Sequence, residues 1–161
     1  MIHKIGIFCA SNRPHLWKQL YESLSQNKTE FNLCVVGPYP PDQDLPDNMR
    51  YIKSNVKPSQ CWFIGACNVD GDLLYHTGDD ELFEPSCLDT MVEINNSDRN
   101  MIVTSRFKCV KEINQYELMY YEWEGERKCV TTAFPIPVGG LIHRDTFMDI
   151  GVDKNFLSLM W

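Results

Sequence analysis

The chain has no apolar run near the roughly 20 residues that a membrane-crossing helix needs. Its opening, Met1-Ile2-His3-Lys4-Ile5, lacks the layout of a signal peptide. None of its seven cysteines (Cys9, Cys34, Cys61, Cys67, Cys87, Cys109, Cys129) forms a CxxC pair. An odd count with scattered spacing, mostly in apolar surroundings, predicts reduced and buried thiols in a cytoplasmic setting. A zinc site finds no support, because the ligand spacing it needs is absent. The four histidines do not cluster. There is also no cluster of Lys and Arg, and the formal net charge is −7. A general nucleic-acid binder wants a basic field against phosphate, so that class is excluded. No internal repeat, low-complexity segment or linker divides the chain.

What is present is an ordinary globular composition: 161 residues, 43% hydrophobic and 23% charged. That length fits one domain with a substantial core. Short apolar runs predict strands over Lys4 to Ala10, Phe31 to Val36, Met49 to Lys53 and Leu73 to His76. Helices are expected over His15 to Gln26, where Leu16, Leu20 and Leu24 recur every four residues, and from Pro58 through Cys67. A third helix is expected after Pro85, with Leu88, Met91, Val92 and Ile94 inward. The remainder reads as strand-rich, with strands over Met101 to Phe107, Tyr116 to Trp123 and Cys129 to Phe134. A last short helix lies near Asp145 to Ile150, capped by Gly151. Alternating strands and helices in the first half predict an α/β fold with a mostly parallel central sheet flanked by helices. Antiparallel strands are added in the second half.

In an open parallel sheet, ligands bind outside the carboxyl ends of the strands. Three loops leave such ends here: Ser11 to Pro14, Gly37 to Pro41 and Gly78 to Glu81. The third places Asp79 and Asp80 side by side after a strand, behind a glycine that lets the backbone turn. Neighbouring carboxylates repel unless a cation compensates them. Mg²⁺ or Mn²⁺ takes oxygen ligands, commonly one or two carboxylates with the phosphates of a substrate. The plainer alternative is an acidic turn ahead of a helix, with Glu81 and Glu84 facing the N-terminal dipole. The aromatic stretch Tyr116, Tyr120, Tyr121 and Trp123 reads as an amphipathic strand before it reads as a sugar-stacking platform.

The string from Gly71 to Leu88, GDLLYHTGDDELFEPSCL, resembles the central segment of family 2 glycosyltransferases with the GT-A fold. So does the opening IGIFCASNRP, residues 5–14, and so does VGGLIHRDTF, residues 138–147, followed by Ile150-Gly151-Val152-Asp153-Lys154-Asn155-Phe156. The resemblance runs in order along nearly the whole chain. It implies one GT-A-like domain over residues 1–161, with a nucleotide-binding half (1–94) and an acceptor-side half (95–161). It implies a metal-dependent transferase moving a sugar from a UDP- or GDP-type donor to a hydroxyl of a glycan or other acceptor. Asp79 would face the nucleotide ribose, and Asp80, with Asp79, would hold Mn²⁺ or Mg²⁺ against the diphosphate. Ala10, Asn12 and Arg13, with Gly37, would line the donor nucleotide. Lys57 lies where the family often has a basic residue facing phosphate, although a surface lysine ahead of Pro58 reads equally well. Gly139 and Gly140 would shape the acceptor side, unless they form an ordinary turn.

The pattern departs from the family twice. The second strand ends in Gly37-Pro38-Tyr39 where the family usually presents an acid to the base, so Asp42, Asp44 or Asp47 would have to substitute. After Phe156 no carboxylate follows, which leaves Asp153 as the candidate catalytic base and points to a chain cut ahead of the base-bearing segment. A non-catalytic nucleotide-sugar-binding module, or a fragment of a larger transferase, is the alternative. A nucleotidyltransferase fits less well, because no glycine-rich phosphate loop with a basic residue follows the first strand.

Overall fold

A computed structural model describes residues 3–96, 102–104 and 140–150, all within one compact unit. Four parallel strands build its centre: β1 (Ile5–Ala10), β2 (Phe31–Gly37), β3 (Met49–Lys53) and β4 (Leu73–Thr77). A three-residue strand, β5 (Leu141–His143), joins β4 antiparallel, with Leu73 opposite His143. The strand order is β3-β2-β1-β4-β5. The chain thus leaves β1 to one side for β2 and β3, then returns to its other side for β4. The carboxyl ends of β1 and β4 meet at this reversal, where open α/β sheets form their ligand crevice.

The inner strands β1, β2 and β4 are mainly apolar on both faces, as a parallel sheet covered by helices requires. The edge strand β3 carries exposed Arg50 and Lys53. Ile5, Ile7 and Cys9 of β1, with Leu33, Val35, Leu73 and Tyr75, pack toward α1 (Trp17–Leu24) and α3 (Cys87–Asn95) through Trp17, Leu20, Leu24, Leu88 and Met91. Phe8, Cys34, Val36 and Leu74 face the other way, toward Cys61 and Ala66 of α2 (Pro58–Asn68) and toward Phe147 and Met148 of α4 (Arg144–Ile150). A helix layer therefore covers each side of the sheet. Burying a side chain such as Leu20 or Leu24, each 0% exposed, contributes about 2 kcal/mol.

Two contacts fix how the layers close. A Cβ on Gly71 would lie 2.2 Å from the backbone nitrogen of Gly6, so the turn into β4 closes only on glycine. Arg144, at the start of α4, donates through Nε to the Gly71 carbonyl at 2.7 Å, through Nη1 to Ala66 at 3.1 Å, and through Nη2 to Val69. It satisfies carbonyls that the end of α2 leaves without helical partners.

The expected strands β1 to β4 and the helix α2 are present within a residue or so of their ends. The first helix is shorter than the leucine spacing suggested. A 3₁₀ turn at Pro14–Leu16 precedes it, and the buried stripe is Trp17, Leu20 and Leu24, with Leu16 only half-buried. Ile94 faces outward at 43% exposure instead of inward, because the stripe of α3 runs through Leu88 and Met91. No element is expected from the sequence over Leu141 to His143, where β5 lies. Of the strand expected over Met101 to Phe107, residues 102–104 are described, and Val103 forms a single antiparallel bridge to Leu141. The strands expected over Tyr116 to Trp123 and Cys129 to Phe134 lie outside the described residues. Among the described residues, no helix is long and apolar enough to cross a membrane.

Candidate functional site

The carboxyl ends of β1 and β4 bring Ser11, Arg13, Asp79 and Asp80 together. Ser11 follows β1 and its backbone N–H donates to the Val36 carbonyl at 3.0 Å, holding the loop against the end of β2. The approach is close enough that a Cβ on Gly37 would fall 1.7 Å from the Ser11 carbonyl oxygen. Gly37 thus lets the first loop settle over the second strand. Its own carbonyl accepts from Tyr51 Oη at 3.0 Å and from the Ser54 N–H at 2.9 Å.

Asp79 and Asp80 are adjacent but differently placed. The Asp79 side chain is 5% exposed and that of Asp80 is 62% exposed. Asp79 accepts from Ser11 Oγ at 2.6 Å and from Arg13 Nε at 3.1 Å through Oδ2, and from Arg13 Nη2 through Oδ1. A buried carboxylate needs this many donors, since an unpaired one would meet the full cost of desolvation. Ser11 Oγ in turn accepts from the indole Nε1 of Trp17 at 2.7 Å and from the Arg13 N–H at 3.1 Å. Trp17, 2% exposed, stacks its ring 5.5 Å from that of Tyr51. The start of α1 is therefore wired to the acidic turn through one hydroxyl.

Arg13 Nη2 also lies 3.0 Å from Asp80 Oδ2, so one guanidinium bridges both carboxylates. Its hydrogen bond to Asp79, outweighing partial desolvation, holds it above its ordinary pKa. One of the two negative charges of the acidic pair is thus compensated by the chain itself. Glu81 turns inward instead of toward the dipole of α3, which begins only at Cys87. Thr77 Oγ1 donates to Glu81 Oε2 at 2.8 Å. Burial pushes the Glu81 carboxyl up to about 7, with smaller contributions from the charges of Asp80 and Asp79, against hydrogen bonds from Thr77 and Gly78 that pull it down. Cys9, beneath the site, is fully buried; desolvation first, then the acids Asp79, Glu81 and Asp80, raises its thiol pKa and keeps it protonated. It is a packed strand residue. His76 is held neutral by burial, with its pKa lowered to about 4, between Trp62 at 4.1 Å and Phe8 at 5.5 Å.

Of the other residues named from the sequence, Ala10 ends β1 and is half-buried, and Asn12 lies between Ser11 and Arg13 in the same loop. Lys57 is exposed at the N-terminus of α2, where its N–H donates to Gln60 Oε1 at 3.2 Å; among the described residues its side chain forms no ion pair. Gly140 lies against Ile102 just ahead of β5. Gly139 and Asp153 fall outside the described residues. A cleft of about 280 Å³ lies beside the Arg13 loop, between Trp17, Lys18 and Tyr21 of α1 and residues 41–46. Asp42 and Asp44 line it; Asp79, Asp80 and Glu81 do not. Trp17 is a part of the site that sequence reasoning did not assign, and the contacts of Ser11 and Glu81, whose loops it did place at the crevice, were not foreseen. No local pattern marks them, since each contact depends on the sheet bringing distant loops together.

No protein-family model and no curated protein sequence matches the chain. Solved structures do. S. aureus TarS 1-349 aligns with a TM-score of 0.69 at 15% identity, covering 91% of this chain and 49% of that one. The mannosyltransferase PcManGT from Pyrobaculum calidifontis, in complex with GDP-Man and Mn²⁺, aligns at 0.62 and 10% identity, covering 94% and 48%. A 4-diphosphocytidyl-2C-methyl-D-erythritol synthase from Anaerococcus prevotii aligns at 0.52 and 9%, covering 89% and 70%. The chain thus has a GT-A-type fold, mostly parallel with one antiparallel edge strand, like these transferases. It spans about half the length of the two transferases.

Proposed function

We propose that the chain is the nucleotide-sugar-binding part of a glycosyltransferase, using a nucleoside-diphosphate-sugar donor and a divalent cation held at Asp80. The observation that carries this reading is the pair Asp79–Asp80 at the β1/β4 reversal, one side chain locked into the fold and the other presented outward. TarS has been solved with UDP-GlcNAc and PcManGT with GDP-Man and Mn²⁺, which favours the same donor class here.

The donor set suits Mg²⁺ or Mn²⁺ in a specific way. Asp80 is an exposed hard-oxygen ligand, whereas both oxygens of Asp79 are committed to Ser11 and Arg13. One carboxylate is enough where substrate phosphates and waters complete the shell. Asp80 is therefore the first ligand, and Asp79 acts chiefly as the anchor of the turn. Among the described residues no group of three or more His, Cys, Asp or Glu side chains is arranged to hold a metal. The cation supplies charge neutralisation to the departing diphosphate. The chain's residues orient the donor: Ala10, Asn12 and Arg13 flank it from β1, Gly37 closes the floor, and Lys57 offers a charge at the start of α2. Gly139 and Gly140 shape the acceptor side, and Asp153 is the candidate to accept the proton of the acceptor hydroxyl.

Calorimetric titration with UDP and GDP, each with and without Mn²⁺, tests the reading. Binding that Mn²⁺ strengthens and Asp80→Asn abolishes is expected. Absence of binding by either nucleotide to the folded protein contradicts it. Nucleotide binding without sugar transfer identifies a binding module or a piece of a larger transferase.

A further inference from the structure

We propose that Arg13 is a resident counter-ion that competes with the divalent cation for Asp80, so that cation uptake is coupled to the arrival of the donor diphosphate. The inference rests on the nucleotide-sugar reading for the identity of the ligands, but it concerns the chain's own residues.

Arg13 is tied unequally to the two acids. Nε and Nη2 fork onto the two oxygens of buried Asp79, while a single contact of 3.0 Å joins Nη2 to Asp80. The fork is a planar match between guanidinium and carboxylate, and its acid is buried at 5% exposure, so it persists. The Asp80 contact is exposed, and ion pairs of that kind hold weakly. Among the described residues Arg13 is the only ion-pair partner of Asp80. The turn therefore has two accessible arrangements, with Asp80 on the guanidinium or with Asp80 turned to a cation, while Arg13 stays anchored in both.

The charges decide between them. A divalent cation arriving alone must take Asp80 from Arg13 and then sit beside the positive charge it has uncovered. A nucleoside diphosphate removes that conflict: its phosphate oxygens coordinate the cation and face the released edge of Arg13. Cation and nucleotide then raise each other's affinity by equal factors, as linkage requires. Arg13 sets the size of that coupling by holding down the affinity for the cation alone.

The test is the binding of Mn²⁺, read from the electron paramagnetic resonance of the free ion, with and without UDP or GDP. Three proteins are compared: the wild type, Arg13→Gln, and the double variant Arg13→Gln/Asp79→Asn. The double variant leaves no buried carboxylate unpaired and no second acid free to chelate. Both variants are expected to bind Mn²⁺ alone about tenfold more tightly than the wild type, and the gain from nucleotide is expected to shrink. Variants that bind nucleotide but take up Mn²⁺ no more tightly than the wild type overturn the inference and leave the functional reading standing. A wild type that binds no nucleotide with or without Mn²⁺ overturns both. The guanidinium NMR resonances of wild-type Arg13 report the same exchange without substitution. They should shift with Mg²⁺ and nucleotide together and hold with Mg²⁺ alone; no shift in the presence of both also overturns the inference.

Discussion

Ser11 Oγ donates a hydrogen bond of 2.6 Å to Asp79 Oδ2, joining the loop after β1 to the turn after β4 across 68 residues of sequence. The same hydroxyl accepts from Trp17 Nε1. Ser11→Ala removes both contacts and the bond from the Arg13 N–H, leaving a buried indole N–H without its acceptor and Asp79 short of a donor. The variant is expected to lose about 1–3 kcal/mol in a urea unfolding titration. A loss within a few tenths of a kcal/mol would mean that the hydroxyl is not the junction of the site.

Gly37 tests the same junction from below. Its Cα stands so near Ser11 that any side chain must displace the loop. Gly37→Ala is expected to destabilise by about 2 kcal/mol or more, since the obstacle is backbone and cannot rotate aside. Thermal unfolding of the variant reads this directly, and an unchanged midpoint would show that the loop stands off the strand.

Much of the sheet was legible because β1 to β4 are apolar runs closed by turn residues, such as Phe31 to Val36 ahead of Gly37-Pro38. Three residues are too few to show a period, so nothing in the sequence marks Leu141–His143, and only pairing with β4 makes it a strand. At the site, Asp79 and Asp80 were visible as a pair, and their different surroundings were not. One meets Ser11 and the other solvent because the chain turns just past Thr77, a result of tertiary geometry. Arg13 lies 66 residues from Asp79, and no local spacing announces that partnership. Glu81 looked like a helix-dipole residue; its burial on Thr77 appears only once β4 is in place.

Glu81 gives the chain a pH dependence of defined sign. Its folded pKa, about 7, is raised above the ordinary glutamate value, so the folded state binds its proton more tightly than the unfolded state does. Its contribution is fully present below the unfolded pKa and is lost as pH rises through about 7. Glu81→Gln keeps an acceptor for Thr77 and removes the buried charge. In chelator-treated protein the variant is expected to match the wild type near pH 4 and to exceed it above pH 8. The difference, discounted for partial exposure, is on the order of 1–2 kcal/mol, or a few degrees in Tm. A gap that stays constant from pH 4 to pH 8 would contradict a raised pKa.

Arg144 holds three carbonyls where α2 turns toward β4. Arg144→Met retains much of the apolar stem and removes every donor. It is expected to cost about 2 kcal/mol or more and to speed amide exchange near Gly71 in hydrogen–deuterium measurements. Stability and exchange equal to the wild type would show that water replaces the guanidinium at no cost.

The most direct measurement is a crystal of the protein soaked with UDP or GDP and Mn²⁺, with the manganese located by its anomalous scattering. The account predicts one peak at coordination distance from a carboxylate oxygen of Asp80, about 2.0–2.3 Å, with diphosphate oxygens on its far side and Asp79 still bound to Ser11. A nucleotide well ordered elsewhere on the chain, with the Arg13 bridge to both acids intact, would contradict it.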